Sequence, residues 1–155
     1  MCVVVDPPLF VSLFKKTDPD HAEFQPVLNW VDQGRGKFVY GGALYLDELR
    51  RVPSAIPVLA ELARRGKIVK VDDAAVDQRQ AAAKRIEPAQ EFDDPHLVAI
   101  VGVSGCKLIC VRDPRSHKFL RRTDFYNRST DRPKLYTRAK NRALLCDSNI
   151  CACCR

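Results

Sequence analysis

This sequence predicts a three-layer α/β/α fold around a central parallel sheet of four to five strands. Three observations point to it. Short apolar runs recur through the first 111 residues, and the first of them, Val3–Val5, is β-branched and apolar at every position, which suits a strand covered on both faces. Each run but the last is followed by one or two segments of helical spacing, the crossovers that parallel neighbours require. The length, 155 residues, fits one core.

The elements follow in order. Residues 3–5 are the first strand, and Pro7 and Pro8 suit the opening turn of a helix over 9–16. Thr17-Asp18-Pro19-Asp20 is a turn, after which Phe24, Val27, Leu28 and Val31 recur at helical spacing until Gly34. Pro26 falls near the start of that helix, where proline is tolerated. Residues 37–40 are the second strand and 43–51 a helix. Pro53-Ser54 separates it from a helix over 56–65, which Gly66 closes. Residues 68–71 are the third strand, and Asp72-Asp73 caps an Ala-rich helix running to Ile86. Asp93-Asp94-Pro95 starts a helix over 96–104, Gly105 ends it, and 107–111 is the fourth strand. Beyond Arg112 the periodicity is poor and Pro114 and Pro133 interrupt it, with a final helix expected over 136–145. The chain divides into an α/β domain over 1–120 and a basic, Cys-rich extension over 121–155.

Charge follows the same division. Residues 1–111 carry 14 basic and 15 acidic side chains, and residues 112–155 carry 12 basic and 4 acidic ones. The net +7 of the chain therefore arises entirely in its last part, which points to a polyanion partner or to a solvated basic tail. The longest apolar run, 97–103, is far below the roughly 20 residues of a spanning helix, so no membrane partner is expected. Met1-Cys2-Val3-Val4-Val5 runs directly into Asp6-Pro7-Pro8 without a basic leader. A cytoplasmic protein is expected, and a disulfide framework among its seven cysteines is not.

Ligands of open parallel sheets collect beyond the C-terminal strand ends, and acids cluster there. Asp6 follows the first strand, Asp113 the fourth by two residues, Asp93 and Asp94 open the helix feeding the fourth, and Asp47 and Glu48 lie on the helix after the second. Clustered carboxylates repel one another, and a hard divalent cation, Mg²⁺ or Mn²⁺, relieves that repulsion. Such an ion activates water and neutralises a phosphoryl centre. Taken singly, Asp93 and Asp94 suit helix caps and Asp47 and Glu48 a solvated face.

These motifs resemble the PIN-domain family of metal-dependent nucleases over roughly residues 1–120. The residues carrying the resemblance are Val3-Val4-Val5-Asp6, the stretch from Val39 to Leu49, and Asp94-Pro95-His96-Leu97 leading through Gly105 and an apolar strand to Asp113, 19 residues on. The resemblance implies Asp6, Glu48, Asp94 and Asp113 as a catalytic, metal-binding quartet with Mg²⁺ or Mn²⁺. It implies hydrolysis of single-stranded RNA, sometimes single-stranded DNA. It also implies the toxin of a toxin–antitoxin pair, with an antitoxin or other inhibitor protein as partner, and a homodimer. Two positions depart from the family pattern: Pro7 stands where a small hydroxyl residue is usual, and Val111 where Thr or Ser is usual. They favour an alternative, a catalytically weak PIN-like scaffold that binds RNA or protein.

Arg112, Arg115, Lys118, Arg121 and Arg122 follow the last acid and are candidate nucleic-acid contacts, which give affinity without sequence choice. His117 is a candidate for proton transfer or phosphate contact, or a plain surface histidine. Phe125, Tyr126 and Tyr136 either stack on unpaired bases or pack the extension onto the core. Cys146, Cys151, Cys153 and Cys154 offer four thiols for a structural zinc, although their spacing fits no common knuckle. Cys106 and Cys110 read as buried small hydrophobes.

Overall fold

The computed structural model describes residues 2–149 and 151–154. Among them five strands form one all-parallel sheet: β1 (Cys2–Val5), β2 (Lys37–Tyr40), β3 (Ile68–Lys70), β4 (Leu108–Cys110) and β5 (Lys134–Tyr136), in the order β3-β2-β1-β4-β5. Every residue of β1 and β4 is buried, as expected of strands with helices on both faces. β3, at one edge, is only partly covered. Val4 lies opposite Ile109 and Val5 opposite Cys110, which sets the ends of β1 and β4 side by side. From β1 the chain first builds outward to β2 and β3 and then crosses back to β4 and β5. The gap between β1 and β4 is therefore the topological switch point, where open α/β sheets bind ligands.

The helices are α1 (Leu9–Phe14), α2 (His21–Asp32), α3 (Ala43–Arg50), α4 (Ile56–Arg64), α5 (Asp73–Ile86), α6 (Pro95–Ser104) and α7 (Pro114–Leu120). With the sheet they make the three-layer α/β/α arrangement. α6 is buried on nearly all sides, the behaviour of a helix apolar all round. Gly105 ends it in the left-handed conformation, φ +67°, with its N–H returned to the Val101 carbonyl at 2.8 Å. α5 is capped by Asp72, which accepts from the Ala75 N–H at 2.7 Å. The start of α3 is held from outside: Asp73 accepts from the Gly42 N–H and Asp77 from the Ala43 N–H, each at 2.9 Å. Gly42 has φ +87°, and a Cβ there would lie 2.5 Å from Val76 Cγ1. Only glycine meets both demands.

The extension differs from its expectation. Residues 136–145 do not form one helix: Tyr136 ends β5, and Ala139–Leu144 is a run of 3₁₀ turns. Tertiary bonds outweigh helix propensity here. Leu108, Ile109 and Cys110 pair with β5, the Tyr136 hydroxyl donates to the Glu23 carbonyl at 3.0 Å, and Asn141 Oδ1 accepts from the Thr137 N–H and hydroxyl. Pro114, read as an interruption, is instead the first residue of α7, where a missing N–H costs nothing. The extension thus supplies the fifth strand of the sheet. Where no disulfide framework is expected, Cys2 and Cys154 form one disulfide, because the start of β1 and the turn at 152–154 meet at the N-terminal end of the sheet. No helix among the described residues is long and apolar enough to cross a membrane.

Candidate metal centre at the sheet switch point

Asp6 stands one residue beyond β1. Its N–H donates to the Cys110 carbonyl at 3.0 Å and its own carbonyl accepts from the Leu9 N–H at 2.9 Å, so the backbone carrying the carboxylate is fixed on both sides. Asp94 occupies the capping position of α6, yet its side chain accepts no capping bond. That leaves the carboxylate free to face Asp6. His96 follows two residues later and is fully buried. Oxygens of Asp6 and Asp94 and a ring nitrogen of His96 all lie within 4.8 Å of one another.

Glu48 arrives from α3. One turn earlier on that helix, the Tyr45 hydroxyl donates to the Val5 carbonyl at 2.7 Å, hooking α3 to the end of β1. Residues three apart share a helix face, so this hook also turns Glu48 toward the cluster. Glu48 Oε2 lies 3.5 Å from His96 Nε2, and the His96 ring stands edge-on to Tyr45 at 5.9 Å. This is proximity rather than an ion pair. Burial pushes His96 down to about 4, so the ring is neutral near pH 7, and among the described residues neither of its nitrogens has a hydrogen-bond partner.

The acids respond to burial and to one another. Burial, then the charges of Asp94, Glu48, Asp113 and Asp93, push Asp6 up to about 8. Burial and Asp94 push Glu48 to about 7, and burial with Asp93 and Asp113 pushes Asp94 to about 6. Raised carboxylates at one point, beside an orphaned imidazole, form a set that one divalent cation would satisfy. Two or three oxygens with one nitrogen suit Mn²⁺ better than Mg²⁺, which prefers oxygen alone.

Asp113 differs from the other three acids in being hydrogen-bonded to a cation, although its charge still bears on Asp6 and Asp94. It caps α7 by accepting from the Arg115 N–H at 2.9 Å, and the Arg115 guanidinium binds the same carboxylate at 2.6 to 3.2 Å. These bonds hold Asp113 below its usual range. It lines a groove of about 340 Å³ with Asp6, Pro8, Leu9, Arg112 and Pro114, at the rim of the cluster.

The predicted phosphate contacts divide. Arg112 pairs with Asp20 at 2.5 Å and remains half-exposed. Lys118 lies over the Phe119 ring and 3.5 Å from Glu91, and Arg121 is exposed. Arg122 is committed internally, bonded to Glu87 and Asp124 and stacked over Phe125. His117 lies in a groove beside Asp20, Arg112 and Arg138, and burial pushes its pKa down. Phe125, Tyr126 and Tyr136 are buried, with Phe125 stacked on Phe92 at 5.0 Å. They pack the extension and present no face to a base. Cys106 and Cys110 are fully buried, as expected. Of the four tail cysteines, Cys151, Cys153 and Cys154 come together with Cys2, whereas Cys146 lies apart with its sulfur 3.1 Å from Ser148 Oγ.

His96 and Cys2 are the residues that sequence reasoning missed. The signal for His96 was its place two residues after the helix-opening acid, a polar side chain in a segment otherwise apolar throughout. No family model matches the chain, and neither a curated protein nor a solved structure matches it.

Proposed function

We propose that the chain is a metal-dependent endoribonuclease that hydrolyses phosphodiester bonds of single-stranded RNA, with Mn²⁺ or Mg²⁺ at the switch point. The observation that carries this reading is the convergence of Asp6, Asp94, Glu48 and the unpartnered His96 beside the ends of β1 and β4. The PIN-like motifs support the same reading from the sequence. A cation bound there would supply a polarised water and neutralise charge developing on the phosphorus. Asp6, Asp94 and His96 would hold it, with Glu48 completing the set. Asp113, at the groove rim, orients Arg115, whose charge bears on Asp94, while Arg112 lines the same groove as Asp6. Arg112 in that groove, and Lys118 and Arg121 further along the chain, would hold flanking phosphates without sequence choice. Single strands fit better than duplexes because the acids lie recessed beside the groove and an unpaired backbone reaches further into it. An antitoxin partner, a homodimer and a cytoplasmic location belong to the same proposal.

The test is cleavage of a fluorescent single-stranded RNA with Mn²⁺, Mg²⁺ or EDTA by the wild type, Asp6→Asn and Asp94→Asn. Metal-dependent cleavage lost in both variants is expected; equal cleavage by all three would sink the assignment.

A second reading, an RNA-binding or protein-interaction scaffold, is favoured by one arrangement. Arg115 already neutralises Asp113, and neither Pro7 nor Val111 offers the hydroxyl usual at its position. Metal binding at the acids with no turnover on RNA or single-stranded DNA is the outcome that selects it.

A further inference from the structure

At the opposite end of β1 from Asp6, four sulfurs meet. Cys2 opens the strand, and Cys151, Cys153 and Cys154 come from the last turns of the extension. Their Sγ atoms all lie within 4.8 Å of one another. Cys151 and Cys154 are 3.7 Å apart, Cys153 and Cys154 3.6 Å, and Cys151 and Cys153 2.7 Å. A tetrahedral zinc with Zn–S bonds of about 2.3 Å sets its sulfurs about 3.8 Å apart, so two of these separations already have the required length. Cys2, Cys151 and Cys154 are buried and Cys153 is half-buried. That enclosure suits a closed structural site with no open coordination position.

We propose that Cys2, Cys151, Cys153 and Cys154 form a four-thiolate site for one structural Zn²⁺ in the reduced protein. Soft sulfur ligands in a tetrahedral set select zinc over the hard cations of the acidic cluster, and four sulfurs this close enclose a single ion. The Cys2–Cys154 disulfide is the oxidised form of the same group. A dithiol reductant gives two electrons and two protons to that disulfide, releasing two thiols and becoming a cyclic disulfide itself. Zinc then displaces the protons of the four thiols as it binds. Cys106 borders the set without joining it: its buried thiol meets that of Cys151 and donates to the Leu108 carbonyl at 3.4 Å, but it does not lie within 4.8 Å of all four sulfurs. Cys146 is excluded by position. In either form the group ties the first strand to residues about 150 positions away, so the ion would do reversibly what the disulfide does covalently.

The test uses the full chain, reduced with a dithiol and loaded with Zn²⁺ or Co²⁺ under nitrogen. Elemental analysis after desalting and the visible spectrum of the cobalt form are the readouts. One equivalent of zinc and a thiolate-to-cobalt charge-transfer band are expected. Cys153→Ser, at a half-buried position that tolerates change, should weaken binding roughly tenfold or more. Cys146→Ser should leave binding and spectrum unchanged. Three outcomes overturn the proposal: no retained zinc in the reduced wild type, cobalt bound without the sulfur band (which places it on the carboxylates), or loss of the ion in Cys146→Ser with retention in Cys153→Ser.

Discussion

Replacing Asp6 by Asn should make the metal-free protein more stable, and increasingly so as the pH rises. Asp6 titrates at about 8 in the fold against an ordinary 3.8. An acid raised by folding contributes most below 3.8, and that contribution is lost as the pH climbs through 8, because the open chain releases its proton first. At about 1.4 kcal/mol per pH unit, the loss is about 2 kcal/mol at pH 5 and about 5 kcal/mol at pH 8. Asn has no charge to desolvate, but its amide N–H groups cost about 1–3 kcal/mol if left unpaired, equally at both pH values. The stability difference between variant and wild type should therefore move in favour of the variant by about 3–4 kcal/mol from pH 5 to pH 8. With 2–4 °C per kcal/mol for a chain of this size, the Tm difference should shift by about 10 °C. His96 works in the opposite sense below pH 6.5, where the open chain protonates and the buried ring does not. It acts in both proteins and largely cancels in the difference. The assay is scanning calorimetry in EDTA across pH 5–8, repeated with Mn²⁺, which should raise the Tm of the wild type alone. A Tm difference that stays constant with pH would refute the account of Asp6 as an acid whose ionisation the fold opposes.

Apparent Mn²⁺ affinity should rise between pH 6 and 8, because Asp94, Glu48 and Asp6, at about 6, 7 and 8, must lose their protons to bind; calorimetric titration in buffers of different ionisation enthalpy should count the protons released. His96→Leu should raise the Tm in EDTA by removing two unpartnered buried nitrogens, a gain of about 1–2 kcal/mol, while reducing the Mn²⁺-induced rise. Gly42→Ala should destabilise the fold by about 2 kcal/mol or more, since alanine meets both the positive φ and Val76; urea unfolding measures it, and a loss under about 0.5 kcal/mol would contradict the packing described. Alanine at Arg112, Lys118 and Arg121 together should flatten the salt dependence of single-stranded RNA binding, the log–log slope falling by about 0.7 for each phosphate contact removed, as read by fluorescence anisotropy.

The strands and helices that carry the acids were legible because their apolar runs are long enough to show a period. The fifth strand was not. Lys134-Leu135-Tyr136 is an edge of three residues in a basic stretch after Pro133, and only two of its side chains are buried. Asp6 and Asp94 were legible from their places at a strand end and a helix start. Asp113 was legible as a residue but not in its role, because sequence order does not show that Arg115 turns back onto it. Cys2 was hidden by the 152 residues that separate it from Cys154, a contact no local pattern encodes.

β5 is made from residues 134–136, yet it flanks β4 and, through Tyr136, reaches back to Glu23. During synthesis, every acid of the cluster leaves the ribosome before the strand that seals this side of the sheet. Until β5 has emerged, β4 is an open edge, and nascent chains should be protease-sensitive and dependent on chaperones.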